Sequence, residues 1–83
     1  MINNVKDQFI EKYWTEEDVL FYIHFKDGSA VQQIEISQKG KRFLSLEVPV
    51  MDGSMLCDQS IDQLDFDQND FITKDEFEKN WKY

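Results

Sequence analysis

Oxygen-bearing side chains recur at alternate positions along a short acidic stretch near the end of the chain. A calcium ion prefers six to eight oxygen ligands, so a loop can enclose it by presenting oxygens at alternate positions and ending in a bidentate glutamate. The twelve-residue window 65–76 has that spacing, with one backbone carbonyl as a further ligand. The candidate ligands are Asp65, Asp67, Asn69, Phe71 (through its carbonyl), Thr73 and Glu76.

This window resembles the calcium loop of the EF-hand family, with a departure at its sixth position. Asp70 stands where that loop needs a glycine for its sharp turn. The preceding segment, 58–64, is also short for an entering helix, and the sequence has no second loop of this kind. Glu76 has a different explanation as part of a helix cap with Thr73. Calcium binding is therefore the alternative to a protein-binding role.

A catalytic site is harder to assemble from these residues. Cys57 and His24 are the only cysteine and the only histidine, and a thiol nucleophile with a histidine base would need both. Neither residue has a recognisable motif around it, and the acidic surroundings of Cys57 oppose formation of a thiolate. The three glycines are scattered and form no phosphate-binding loop. The sequence therefore predicts a protein that is not an enzyme and has no cofactor, calcium being the alternative.

Length and charge narrow the classes of function. The chain has 83 residues, 41% of them hydrophobic, which suits one small domain spanning 1–83. Seventeen acidic and nine basic residues give a net charge of −8, which disfavours direct binding to nucleic acid or to an anionic membrane. The first ten residues lack a basic region followed by an apolar run, and a lone cysteine excludes an internal disulfide. We expect a cytoplasmic protein.

The acidic character is concentrated in the last third of the chain. Residues 1–51 contain eight acidic and six basic side chains, whereas residues 52–83 contain nine acidic and three basic ones. Aromatic rings within a field of carboxylates suit a protein-binding surface, since rings supply contact area and charges steer a cationic partner. The predicted partner-binding residues are Asp58, Asp62, Asp65, Phe66, Asp67 and Asp70.

Apolar periodicity predicts that the chain begins with a helix over residues 4–14. Val5, Phe9 and Tyr13 recur four residues apart, and Ile10 and Trp14 widen the apolar stripe. We expect this amphipathic helix to pack against a sheet.

Three strands are expected to follow this helix. The β-branched and aromatic run at 19–25 predicts a strand. Asp27 and Gly28 then predict a tight hairpin turn, in which both positions need a positive φ. Strands at 30–37 and 42–48 follow, with Leu44, Leu46 and Val48 on one face of the latter. Because the connections are short, we expect an antiparallel meander.

The clearest local signal predicts a C-terminal helix over residues 74–82. Thr73 and Glu76 have the spacing of a capping box, and Ile72 and Phe77 occupy the positions of a hydrophobic staple. Phe77 and Trp81 then share one helical face. The predicted fold class is α+β, with an N-terminal helix, a three-stranded antiparallel meander and a C-terminal helix packed on one sheet face.

Two stretches resemble a family of small uncharacterised bacterial α+β domains, some of them similar to immunity proteins. One is the hairpin at 30–36 followed by 39–41, and the other is the helix start at 72–81. Neither stretch is a catalytic motif, and the resemblance carries over no functional residue. Together with the charge asymmetry, it predicts an acidic protein that neutralises a basic protein partner, such as a toxin or a nuclease. Single-loop calcium binding is the alternative.

Overall fold

About half of the described residues lie in strands, which form the main element of the fold. The computed structural model describes residues 6–51 and 53–81. The elements of these residues are β1 (Asp7–Trp14), β2 (Val19–Lys26), β3 (Ser29–Ser37), β4 (Gly40–Ser45), β5 (Val50–Met51), β6 (Ser54–Met55), β7 (Phe71–Ile72) and α1 (Lys74–Trp81). Two 3₁₀ turns, at Ile61–Gln63 and Gln68–Asp70, lie between β6 and β7.

The main sheet has five antiparallel strands in the order β4-β3-β2-β1-β7. The short β5–β6 hairpin forms a separate ladder. Strands β2, β3 and β4 correspond to the predicted meander, but β1 extends it and β7 adds a short strand beyond β1. The predicted α+β fold of two helices on a three-stranded sheet is therefore wrong. The described residues form a larger antiparallel sheet with one C-terminal helix.

The predicted N-terminal helix is a strand. Residues 7–14 form β1, which pairs with β2 along its whole length, while residues 4 and 5 lie outside the described part of the chain. Phe9 and Ile10 are both buried, and they lie on opposite faces of the sheet because successive strand side chains alternate. A strand covered on both faces has no clean two-residue alternation. The apolar residues of β1 therefore have a spacing that also fits an amphipathic helix, which is why the sequence pattern predicted one.

The turn between β2 and β3 confirms the hairpin prediction. Asp27 has a φ of 51° and Gly28 a φ of 88°, as a two-residue turn of this type needs. The last predicted strand is shorter than expected, because β4 ends at Ser45. The N–H of Ser45 donates to the carbonyl of Val48 at 3.0 Å, which bends the chain away from the sheet. Leu46 and Val48 are consequently exposed.

Each face of the sheet carries its own apolar cluster. On the face covered by α1, here called the helix face, Phe9, Tyr22 and Ile34 pack with Phe77 of the helix. On the opposite face, the buried cluster is covered by the irregular chain of residues 56–66. The buried members of that second cluster are Ile10, Ile23, Phe25 and Ala30.

Helix α1 begins as predicted. The N–H of Glu76 donates to the hydroxyl oxygen of Thr73 at 3.2 Å, and that hydroxyl donates to the Glu76 carboxylate at 3.3 Å. Phe77 is buried and stacks with Trp81 at a ring separation of 6.0 Å. The predicted end at residue 82 lies outside the described residues. Within those residues, no helix has the length and apolarity that crossing a bilayer requires.

Candidate protein-binding groove

An open groove of about 610 Å³ lies on the face of the sheet opposite α1. Strands β1, β2 and β3 form its floor, and residues 55–66 form one wall. Its volume is in the range, roughly 300–1,000 Å³, that is usual for sites that enclose a ligand group. The groove is large enough to hold part of another molecule. The side chains that line it decide which chemical groups it can bind.

Strand register explains why the groove is open at this place. Ile10, Ile23 and Gln33 form one row across the three strands, and the chain of residues 56–66 covers that row. The next row consists of Lys12, Phe21 and Glu35, with Arg42 opposite Glu35 on β4. The covering segment stops short of this second row, and the groove is the space above it.

Aromatic side chains form the rim of the groove. Tyr13 and Trp14 are each 51% exposed, which is unusual for rings of this size in a small domain. The Trp14 ring is tilted against Phe21 at a centroid separation of 5.9 Å, and Phe66 meets Phe25 edge-on at 6.1 Å. Large rings at the edge of a groove are the groups that most often dominate binding energy at protein interfaces.

The hydroxyl of Tyr13 is held by a carboxylate. It donates to Asp18 in the β1–β2 turn, and Asp18 also accepts from the side-chain amide of Gln38 at 3.4 Å. The hydrogen bond to Asp18, with smaller contributions from desolvation and from the negative charge, raises the pKa of Tyr13 above its usual value. This hydrogen bond fixes the Tyr13 ring beside the β1–β2 turn, on the opposite side of strand β1 from Trp14.

The polar floor of the groove is a fully connected network. Gln33 is 3% exposed and Glu35 is 9% exposed. The Gln33 amide nitrogen donates to Glu35 at 2.8 Å and to the carbonyl of Met55 at 3.1 Å, and its oxygen accepts from the N–H of Cys57 at 2.9 Å. The hydroxyl of Ser54 donates to the other Glu35 oxygen at 2.9 Å. This network holds the wall of the groove against its floor.

A smaller depression of about 370 Å³ continues the groove along the same side of the molecule. Met55, Cys57 and Gln59 line both depressions. Leu46 and Val50, which line the smaller one, are 68% and 57% exposed. A continuous exposed apolar surface of this kind commonly marks a site of interaction with another protein.

The predicted partner-binding residues fall at different places. Asp65 and the half-buried Phe66 line the groove, and Asp58 lines the smaller depression. Asp62 and Asp67 are exposed but line neither of these two depressions. Asp70 has an internal role instead, because its carboxylate accepts from the Lys12 ammonium at 3.2 Å and from the N–H of Asp67 at 2.8 Å. The Asp70 carboxylate is therefore occupied by contacts within the protein.

The calcium-like window is folded differently from an enclosing loop. Its sixth position, Asp70, lies in a 3₁₀ turn, and the only non-glycine residues with positive φ in the described chain are Asp18 and Asp27. Phe71 lies in β7, and Thr73 and Glu76 cap α1. Within residues 6–51 and 53–81, no three or more histidine, cysteine or acidic side chains are grouped to hold a metal ion. Calcium binding stays an untested prediction.

His24 and Cys57 lie on opposite faces of the sheet. The His24 ring stacks on Phe9 at 4.4 Å on the helix face, and its nitrogens lie 2.8 Å from Asp7 and 3.1 Å from Gln32. Cys57 is half-buried against the cluster on the opposite face and lines the groove. The sheet therefore separates the only thiol from the only imidazole.

Several groove residues were not anticipated from the sequence. Trp14 was assigned to a helical stripe, and Gln33 and Glu35 were not considered as a pair. A signal for the pair was available, because these two polar residues alternate with Ile34 and Ile36 along a strand. Such alternation places a buried amide and a carboxylate on one face, facing whatever covers it.

Comparison of the chain with family models, with curated proteins and with solved structures finds no match. The resemblance to small bacterial domains stays a prediction for that reason, and the case for a function has to be made from the groove itself.

Proposed function

We propose that this chain is a non-catalytic acidic protein that binds and neutralises a cationic protein partner through the groove and the adjoining smaller depression. One observation carries the proposal. Seven large apolar side chains are exposed in the described residues, and five of them line these two depressions: Tyr13, Trp14, Leu46, Val50 and Met55. Concentrated exposed apolar area is costly in water unless a partner covers it.

Charge supports a cationic partner. Glu16 and Asp65 line the groove and Asp58 lines the smaller depression, in a chain of net charge −8. Among the described residues that line the groove, Lys12 alone is basic, and its ammonium is paired with Asp70. Acidic residues around an apolar centre increase the rate of association with a basic surface and select against acidic partners.

The most concrete form of the proposal is an immunity protein against a bacterial toxin, such as a nuclease. A nuclease needs a basic surface to hold its substrate, because nucleic-acid binding depends on neutralising phosphates. An acidic protein with an apolar centre can cover that same surface and compete with the substrate.

Crosslinking at the groove tests the proposal. A photoreactive amino acid would replace Trp14 in the full chain in the source cell, with a matched control at Lys79. That control position is exposed on α1, on the other side of the sheet. We expect a covalent adduct with a basic protein from position 14 and none from position 79. Adducts with acidic or neutral proteins only would refute a cationic partner.

Charge reversal gives a second test on the isolated complex. Asp65→Lys at the groove should weaken binding of the crosslinked partner, and the effect should shrink in high salt as the Debye length falls from about 10 Å at 0.1 M to about 3 Å at 1 M. Asp75→Lys on α1 makes the same change in net charge away from the groove. Equal weakening by both variants would show that only net charge matters and not this surface.

A further inference from the structure

The floor of the groove contains a buried carboxylate whose hydrogen bonds, among the described residues, come from neutral groups. Glu35 is 9% exposed and accepts from the amide of Gln33 and the hydroxyl of Ser54. A carboxylate has about four acceptor positions, so capacity remains after these two bonds. A buried negative charge gains most from an added positive one, because the surrounding dielectric is low.

Aromatic rings lead from the rim of the groove to this carboxylate. Phe21 lies directly opposite Glu35 in the β2–β3 register, and the Trp14 ring is 5.9 Å from Phe21 at an angle of 51°. Aromatic faces attract cations and pack against the methylene stems of long basic side chains. The groove therefore offers an apolar path that ends at a charged acceptor.

The neighbouring charged side chains restrict the side from which a cation can approach Glu35. Arg42 is opposite Glu35 on the β4 side, so its positive charge disfavours a second cation there. Lys12 lies beyond Phe21 on β1, where its ammonium is 3.2 Å from the Asp70 carboxylate. A cation therefore has to approach Glu35 from above Phe21, between these two basic side chains. Glu16 and Asp65 add negative charge to the lining of the groove.

We infer that the groove is a subsite for one basic side chain of the partner, an arginine, whose stem lies against Trp14 and Phe21 and whose guanidinium binds Glu35. This inference rests on the proposed function and specifies the group that the partner inserts. Arginine fits better than lysine, because its planar guanidinium stacks on rings and binds a carboxylate through two hydrogen bonds.

A pair of small probes tests the subsite without knowledge of the partner. The full chain, labelled with ¹⁵N, would be titrated with N-acetyl-arginine methylamide and, separately, with the citrulline compound, which has nearly the same shape and no charge. We expect shifts at the Trp14 indole and at the Phe21 and Glu35 amides with arginine. Citrulline should bind at least about tenfold more weakly, since a hydrogen bond to a charged group contributes roughly 1.5–3 kcal/mol.

Variants locate the effect. Trp14→Ala changes an exposed rim residue, so the fold is retained and arginine binding should weaken. Glu35→Gln should abolish the preference for arginine over citrulline, whereas Glu47→Gln, an exposed site outside the groove lining, should preserve it. Equal binding of the two probes to the unmodified protein, or arginine shifts spread over acidic residues away from the groove, would overturn the inference.

The two experiments together separate an error in the arginine subsite from an error in the proposed function. A basic partner crosslinked at position 14 together with no arginine preference would reject the subsite and retain the binding role. Arginine preference with only acidic or neutral proteins crosslinked would support the subsite and reject a cationic protein as its source.

Discussion

The side-chain amide of Gln33 hydrogen-bonds the backbone N–H of Cys57 at 2.9 Å and so holds an irregular segment against the sheet. Its nitrogen binds the carbonyl of Met55 at 3.1 Å, so the two backbone groups on either side of Leu56 are satisfied by one buried side chain. Two backbone hydrogen bonds also hold this segment: the N–H of Leu56 donates to the carbonyl of Pro49, and that of Ile61 donates to the carbonyl of Gly28, both at 2.8 Å. Gln33 is therefore the side-chain anchor of a wall that backbone bonds and apolar packing also support.

Gln33→Leu should lower the free energy of unfolding by about 2–6 kcal/mol, because a leucine of similar size leaves two backbone groups without partners and each costs roughly 1–3 kcal/mol. Urea unfolding followed by circular dichroism measures the loss. Gln38→Leu is the control, since Gln38 is exposed and makes one weak bond to Asp18. Equal stabilities of the two variants would show that the amide does not hold the wall.

Tyr22 should titrate as an unusually weak acid. Burial, followed by its 2.7 Å hydrogen bond to Glu11 and the negative charges of Glu11 and Glu76, raises the pKa of Tyr22 to about 12. Ultraviolet absorbance of tyrosinate should include a step near pH 12 from Tyr22, beside the raised step of Tyr13. Tyr22→Phe should lose that step alone.

The same shift in pKa predicts how stability changes with pH. The folded-state pKa of Tyr22 lies above the unfolded one, so its contribution is complete below pH 10 and is lost as pH rises towards 12. The loss should be up to about 2 kcal/mol, since one pKa unit corresponds to roughly 1.4 kcal/mol. Lysines also titrate in this pH range. The quantity to measure is therefore the difference in free energy of unfolding between the unmodified protein and Tyr22→Phe. If this difference in free energy of unfolding does not change with pH, the raised pKa of Tyr22 is contradicted.

Asp70→Ala should destabilise the protein by about 1–2 kcal/mol. The half-buried carboxylate joins Lys12 of β1 to the backbone of the 3₁₀ turn, and both bonds would be lost. Thermal unfolding compares it with Asp58→Ala, where the removed carboxylate is exposed. If Asp70 were only one more surface acid, the two variants would have similar melting temperatures.

Strand β1 gives a further test through two of its residues. Ile10→Ala should cost about 2–5 kcal/mol because Ile10 is fully buried, whereas Tyr13→Ala should cost much less because the ring is half exposed. On a helix with the predicted stripe, both positions would face the core. Chemical unfolding of the two variants therefore distinguishes the strand from the helix, and similar large losses would favour the helix.

Turns and helix starts could be predicted where a few neighbouring residues are enough to determine them. Asp27 and Gly28 determine a turn because few other residues accept positive φ, and Thr73 with Glu76 determines a helix start. Strand β1 could not be predicted this way. Phe9 and Ile10 are adjacent apolar residues that serve different faces, and only the presence of β2, β7 and α1 decides that both are buried.

The groove was beyond prediction because distant parts of the chain assemble it. The rim residue Trp14, the floor residue Glu35 and the wall residue Phe66 are separated by about twenty to thirty positions. Sheet register places the first two, and packing against Phe25 places Phe66. The acidic residues near Phe66 were anticipated from composition. The pairing of the Asp70 carboxylate with Lys12 could not be predicted, because sequence charge does not reveal an internal partner.

Strand β4 is one of the two outer strands of the main sheet, β7 being the other, and no strand of residues 6–51 and 53–81 pairs with the free edge of β4. Lys39, Lys41 and Arg42, three of the nine basic residues of an acidic chain, lie on or beside that strand. Two copies that met through this edge would bring like charges together, which opposes the strand-by-strand growth of fibrils. The arrangement favours a protein that resists aggregation when it is concentrated.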